Sequence, residues 1–213
     1  MIAETSKQSL AQAPYDPPIG RGRFIWPEID SPDPKQAAWN SAVRQEVLRG
    51  SMNVADKDVQ VWYRVNAANA RFINLQIQVS EYGYGAAHPN GGIFAFEWWL
   101  DRKRPLRAED VFRSNGGWQR FLAERCFEKL TTGDSAQRLY PNTDNRPAIA
   151  ENVTKVDQWF LDADKLRIEF SVYLIGPYAA GSFEVDLSWD ELRSYLASGF
   201  DPAKLPAQLE KAQ

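Results

Sequence analysis

The chain has 213 residues, with 25 Lys and Arg against 28 Asp and Glu and a formal net charge of −3. Nothing in that balance supplies the clustered positive charge that nucleic acid or an anionic membrane surface demands. The single cysteine, Cys126, rules out an intramolecular disulfide and a cysteine metal cluster, and no apolar run approaches the roughly 18 residues of a membrane span. Aromatic residues make up 13% of the chain, eight of them Trp, so large rigid rings are expected to carry much of the burial.

Residues 1–22 are rich in Ser, Gln, Ala and Pro, and Pro14-Tyr15-Asp16-Pro17-Pro18 reads as an extended linker. Such a start suits a mature exported protein whose leader has been replaced by Met1. Asp33 followed by Pro34 predicts a helix N-terminus, and Trp39, Ala42, Val43 and Val47 recur at helical spacing until Gly50. The period then becomes two. Val59, Val61, Tyr63 and Val65 alternate with Gln60, Trp62 and Arg64, and Ile73, Leu75, Ile77 and Val79 alternate with Asn74, Gln76 and Gln78. These are two half-buried strands, joined by a turn over Asn66 to Asn69. After the Gly-rich stretch Tyr82 to Gly92, a third strand places Phe94, Phe96, Trp98 and Leu100 opposite Glu97 and Trp99.

A charged turn, Asp101 to Arg104, and a helical turn over Leu106 to Phe112 precede a second helix. Its stripe is Trp118, Leu122, Cys126 and Leu130, which makes Cys126 a small buried hydrophobe. Residues 131–147 read as loop. Strand signals resume at Val156 to Leu161, run from Leu166 through Ile168, Phe170, Val172 and Leu174, and return at Phe183, Val185 and Leu187. Ser188 with Glu191 forms a capping box for a last helix ending at Gly199, and the tail after Pro202 is expected to fray. The expected fold is α+β, an antiparallel sheet with helices packed on it in the order α-βββ-α-βββ-α. One domain spans residues 23–200, followed by a tail over 201–213.

Three stretches of this sequence resemble the RsiV-like extracytoplasmic domain family. They are Gly83 to Pro89 with its Gly-Ala-Ala-His-Pro turn, Arg104 to Phe112, and Ile175-Gly176-Pro177-Tyr178-Ala179-Ala180-Gly181, the last followed by a strand and the Trp189-Asp190-Glu191-Leu192 helix. The resemblance spans roughly residues 55–200 and implies a periplasmic or secreted location. It also implies a binding role, since the anti-sigma branch of that family recognises lysozyme. A lysozyme-like hydrolase or a peptidoglycan fragment is therefore the expected partner. The anti-sigma role itself does not carry over, because the sigma-binding segment is missing.

His88 is the only histidine, so a multi-histidine metal site is not available, any Ser-His-Asp triad would have to use His88 with no Gly-x-Ser-x-Gly elbow to supply its nucleophile, and no metal or cofactor is expected. Its simplest role is to stiffen a turn with Pro89, the imidazole bonding a backbone carbonyl while Gly83, Gly85, Gly91 and Gly92 adopt positive φ. The two Gly- and Tyr-rich turns lie between strands, and their meeting would bring Tyr84, His88 and Tyr178 onto one patch. Tyr82, Tyr84, His88, Asn90 and Tyr178 are accordingly the candidate binding residues. Trp62 and Trp99 join them, as aromatics on predicted polar faces that suit a sugar ring or a protein anchor, unless helices cover both faces of part of the sheet and hide these rings. Tyr173 is a further aromatic of that kind. The alternative is a cell-wall-modifying hydrolase or deacetylase that uses His88 or an acidic pair. Glu184 and Asp186 sit about 7 Å apart along one strand, within the roughly 5 to 9 Å that paired carboxylates need.

Overall fold

The computed structural model describes residues 22–49, 57–132, 139–140 and 144–209. The expected N-terminal linker, apart from Gly22, and the expected stop at Gly50 lie outside them. Helix α1 (Pro34–Arg49) starts as its sequence dictates: Asp33 Oδ1 accepts the Lys35 N–H at 2.9 Å, and Trp39, Val43 and Val47 form its buried stripe. The next two strands, β2 (Lys57–Ala68) and β3 (Phe72–Gly83), form a long antiparallel hairpin with Val61 opposite Val79 and Val65 opposite Leu75. The chain reverses at Asn69, whose side-chain oxygen accepts the Arg71 and Phe72 N–H groups at 2.8 and 2.9 Å. Strand β4 (Asn90–Trp99) continues the antiparallel order, and the two-residue β5 (Arg104–Pro105) closes one edge.

The other edge holds a strand that sequence reading leaves out, β1 (Gly22–Phe24), which runs parallel to β2. The large sheet thus has the order β1-β2-β3-β4-β5. Strict alternation divides its two faces. Val59, Val61, Ile73, Leu75, Ile77 and Trp98 pack against α1 and the Phe24–Trp26 segment. The opposite face carries Trp62, Arg64, Asn74, Gln76, Gln78 and Glu97, together with Phe72 and Trp99 at one end.

The second half of the chain builds a smaller three-stranded sheet, β6 (Trp159–Leu161), β7 (Lys165–Phe170) and β8 (Phe183–Ser188). Its apolar face, with Leu166, Ile168, Phe170, Val185 and Leu187, packs on helix α3 (Trp118–Thr131), whose buried stripe is Trp118, Leu122, Cys126 and Leu130 as expected. Burial pushes the Cys126 thiol up to about 12, which fits a packing role. The short helix α2 (Ala108–Val111) precedes α3. The fold is α+β, built on two sheets.

Five expectations need correction, the last being the frayed tail after Pro202. A helix, α4 (Arg146–Asn152), starts inside the stretch read as loop, with Pro147 in its first turn and Ile149 buried. Val156 to Gln158 is a 3-10 turn, with the strand beginning only at Trp159. Val172 and Leu174 do not extend a strand, since β7 ends at Phe170 and a turn follows. The last helix, α5 (Trp189–Leu192), opens on the Ser188–Glu191 capping box but gives way to a 3-10 turn over Arg193–Tyr195 and so stops short of Gly199.

The segment after Pro202 is packed. Leu205 is buried, the Leu209 N–H donates to Asn66 O at 2.7 Å, and Pro206 O accepts from the Ala163 N–H at 3.0 Å. No helix among the described residues is long and apolar enough to cross a membrane.

Candidate functional site in the cleft between the two sheets

The polar face of the large sheet is covered over only part of its area. At the end near Phe72 and Trp99, β6 lies against it through buried hydrogen bonds. The Asn74 amide donates to Leu161 O at 2.7 Å, and the Leu161 N–H donates to Glu97 Oε1 at 2.5 Å. Burial pushes the Glu97 carboxyl well above the usual carboxylate range, against the opposing pull of that backbone N–H. Farther along β4, Ser171 clasps one residue from both sides. Its hydroxyl donates to Ile93 O and accepts from Ile93 N, both at 2.9 Å. These contacts fix how far the small sheet stands from the large one.

Beyond the covered end the sheets diverge and leave two hollows. The inner one, about 270 Å³, lies between Arg64 and Gln76 on the large sheet and Arg167, Glu169 and Glu184 on the small one. The outer one, about 210 Å³, lies between Trp62, Gln78 and Asn90 and the turn bearing Tyr178. Ile93 and Ser182 border both, so the two form one continuous cleft.

The mouth of the outer hollow is aromatic. The two Gly- and Tyr-rich turns meet there, stacking His88 on Tyr178 with ring centroids 3.9 Å apart and planes at 16°. Tyr173 completes the group, 5.6 Å from Tyr178 between centroids, with its hydroxyl 3.4 Å from His88 Nε2. The turn that presents Tyr173 needs φ of +68° at that residue, a conformation that non-glycine residues adopt infrequently. His88 Nδ1 lies 2.9 Å from Pro89 O, matching the turn-stiffening role. The glycines act otherwise than expected: of the four in this loop only Gly85 has positive φ. Gly91 serves by lacking a side chain, since a Cβ there would sit 1.9 Å from Val79 O.

The other candidates separate. Trp62 is exposed and walls the outer hollow, which Asn90, at the start of β4, also lines. Tyr82 is exposed at the end of β3, while the Tyr84 hydroxyl donates to Asp58 Oδ1 at 3.2 Å on the neighbouring strand. Trp99 is a correction: it is only 8% exposed, packed on Phe72 with centroids 4.6 Å apart and under the Arg102 guanidinium at 4.7 Å. The helix-bearing half of the chain covers that end of the polar face, so the ring is core.

Asp186, half of the acidic pair, is taken up by ion pairs with Lys165 at 2.6 Å and Arg167 at 2.7 Å. Partial burial raises its carboxyl, but the hydrogen bonds from Arg167 and Lys165 outweigh that and hold it below the usual range.

Sequence reading missed the cleft walls: Arg64, Gln76, Gln78, Glu169 and Ser182. On β2 and β3 these polar residues look like any solvent-facing set, and only the second sheet makes them an interior wall. The Glu169 side chain points into the inner hollow and is only 4% exposed. Burial pushes its carboxyl up to about 7, and the charge of Glu184 directly across the strands adds to this. The Ser182 hydrogen bond and the charges of Arg167 and Arg64 oppose it. Among the described residues, no three His, Cys, Asp or Glu side chains gather as a metal ion requires.

Comparison with solved structures shows where this architecture recurs. The chain is similar to the crystal structure of a member of the DUF3298 family from Bacteroides fragilis, at a TM-score of 0.64 and 17% identity, over 92% of this chain and 93% of that one. It is equally similar to a DUF3298 family protein from Pseudomonas aeruginosa, at a TM-score of 0.64 and 11% identity, over 93% and 95% of the two chains. At these identities the likeness concerns the fold alone. A search of the curated proteins finds no match. Residues 109–190, from α2 to the start of α5, match the model of the family described as protein of unknown function, DUF3298.

Proposed function

We propose that this chain is an extracytoplasmic binding module, without catalysis, whose cleft takes a segment of cell-wall glycan. The observation that carries the reading is the pairing of surfaces in the outer hollow. Trp62 stands exposed on one wall with Gln78 opposite it on the neighbouring strand, Asn90 lines the same hollow, and the His88–Tyr178 stack closes the other side. Flat aromatic faces offer apolar area to the C–H faces of a sugar ring, while neighbouring amides bond its hydroxyls. The extracytoplasmic part rests on the resemblance to RsiV-like domains at Gly83 to Pro89 and Ile175 to Gly181.

The test is titration of the protein with peptidoglycan disaccharides, read by tryptophan fluorescence and calorimetry. Saturable binding that Trp62→Ala weakens about tenfold, the order expected for an aromatic anchor, supports the reading. Absence of binding, or equal binding by the variant, overturns it.

A second reading, recognition of a lysozyme-like protein, draws on exposed aromatics: Tyr173 in the group at the mouth, and Tyr82 and Tyr84 at the end of β3 and in the loop after it. Exposed tyrosines of this kind are common anchors at protein interfaces. One-to-one lysozyme binding that persists at moderate salt and is lost in Tyr84→Ala or His88→Ala would favour it over the glycan. Binding that vanishes with salt would reflect only an acidic protein meeting a basic one.

A further inference from the structure

The inner half of the cleft has a chemistry of its own. Arg64 reaches into it from β2, held by Asn66 Oδ1 on Nε at 2.8 Å and by Gln76 Oε1 on Nη2 at 3.0 Å. Both partners are neutral amides, Nη1 takes part in neither bond, and among the described residues Arg64 has no carboxylate at ion-pair distance. The other cleft cation is neutralised: Arg167 pairs with Asp186 at 2.7 Å and with Glu184 at 2.9 Å. Asp162, on the rim beyond β6, is occupied by the backbone N–H groups of Asp164 and Lys165 at 2.8 and 3.0 Å. Arg64 is therefore an oriented guanidinium without a counter-ion. It faces a hollow of about 270 Å³ whose far wall holds the buried Glu169 carboxyl.

We propose that this inner half is a carboxylate subsite, in which Arg64 supplies the positive charge and Glu169, bound as the neutral acid, donates a second hydrogen bond to the ligand. The inference rests on the glycan reading of the cleft and narrows it to a sugar bearing a carboxylate. An arginine fixed by two amides is already oriented for an oxyanion, so little side-chain freedom is lost on binding. Glu169 faces Glu184 from the opposite strand, Arg167 on its own strand and Arg64 across the cleft. With Glu184 paired to Arg167 and Asp162 turned to the backbone N–H groups of its own turn, a proton on Glu169 removes the negative charge on the wall facing Arg64 that would repel an incoming carboxylate. Binding of such a ligand consequently requires that proton and weakens as pH rises past the point where burial ceases to hold it.

The experiment compares the disaccharide of N-acetylglucosamine and N-acetylmuramic acid, whose lactyl carboxylate is free, with its methyl ester, by calorimetry from pH 6 to 8.5. The wild type is expected to bind the acid about 10- to 100-fold more tightly than the ester at pH 6, the range of a charge-assisted hydrogen bond. That preference is expected to fall about tenfold per pH unit above pH 7, as Glu169 ionises. Arg64→Gln should lose the preference while binding the ester as the wild type does. Glu169→Gln, which still donates a hydrogen bond, should keep the preference and lose its pH dependence. Equal binding of acid and ester, or a preference unchanged in Arg64→Gln, overturns the carboxylate subsite and leaves the glycan reading standing. Failure of both disaccharides to bind overturns the two together.

Discussion

Replacing Glu169 by Gln should stabilise the protein at neutral pH and leave it unchanged in acid. In the folded chain burial and the facing Glu184 raise this carboxyl from 4.5 to about 7. Between those values the folded state holds a proton that the unfolded state has released, so stability falls as pH rises through this window. At about 1.4 kcal/mol per pH unit, the loss attributable to this one group reaches about 3 kcal/mol by pH 8. Gln keeps the size and the hydrogen-bonding capacity of the neutral acid, and it has no proton to lose. The two proteins should therefore have equal stability near pH 4, diverge from pH 4.5, and reach their full difference by pH 8. For a chain of this length that difference corresponds to about 2–4 °C in Tm per kcal/mol. Urea unfolding followed by tryptophan fluorescence from pH 4 to 8 measures it. Contributions from Glu97 and Asp186 are common to both proteins and cancel in the difference. A difference that stays flat across this range would mean that Glu169 ionises as it would in water, and the argument for a desolvated inner cleft would fail.

Two further predictions concern the junction between the sheets and the core of the small one. Asn74→Ala deletes the amide that holds Leu161 O at 2.7 Å and the oxygen that accepts from Asn66 at 3.2 Å. It leaves buried groups without partners and should cost about 2–3 kcal/mol in chemical denaturation, whereas a loss under 0.5 would mean the junction is not held there. Cys126 is fully buried with its thiol pushed up to about 12. It should resist iodoacetamide in the folded protein and react only at the rate of unfolding. Fast labelling at pH 8 without unfolding would contradict that placement.

The parts of this fold that the sequence discloses are those in which one periodicity maps onto one buried face. Val59, Val61 and Ile73 to Val79 reveal a two-sided sheet, and Trp118 to Leu130 reveals a helix, because burial enforces those spacings. What stays hidden depends on partners distant in sequence. Pro147 reads as a loop residue until Ile149 finds a core to enter, when the same proline becomes an ordinary first-turn residue of α4. Val172 and Leu174 continue a strand-like alternation, but Ser171 spends its hydroxyl on the backbone of Ile93 and the chain turns away there. The site follows the same rule. The meeting of His88 with Tyr178 was legible because both lie on turns between strands. Trp99 was misplaced because nothing local distinguishes a polar face open to water from one covered by another sheet.

That distinction also explains why a cleft exists here at all. An antiparallel sheet with one polar face ordinarily leaves that face to solvent. In this chain a second sheet lies over part of it and is fastened by directional polar contacts, from Glu97 and Asn74 to Leu161 and from Ser171 to Ile93. Apolar packing between the layers would tolerate sliding, because burial has no preferred direction. Hydrogen bonds from buried groups do not, since a shift of an ångström leaves them unmade in a medium of low dielectric. The fastenings therefore set the gap between Arg64 and Glu169 and the height of Trp62 opposite Tyr178. On this view the buried Glu97 carboxyl, which lines neither hollow, shapes the cleft as much as the residues that do.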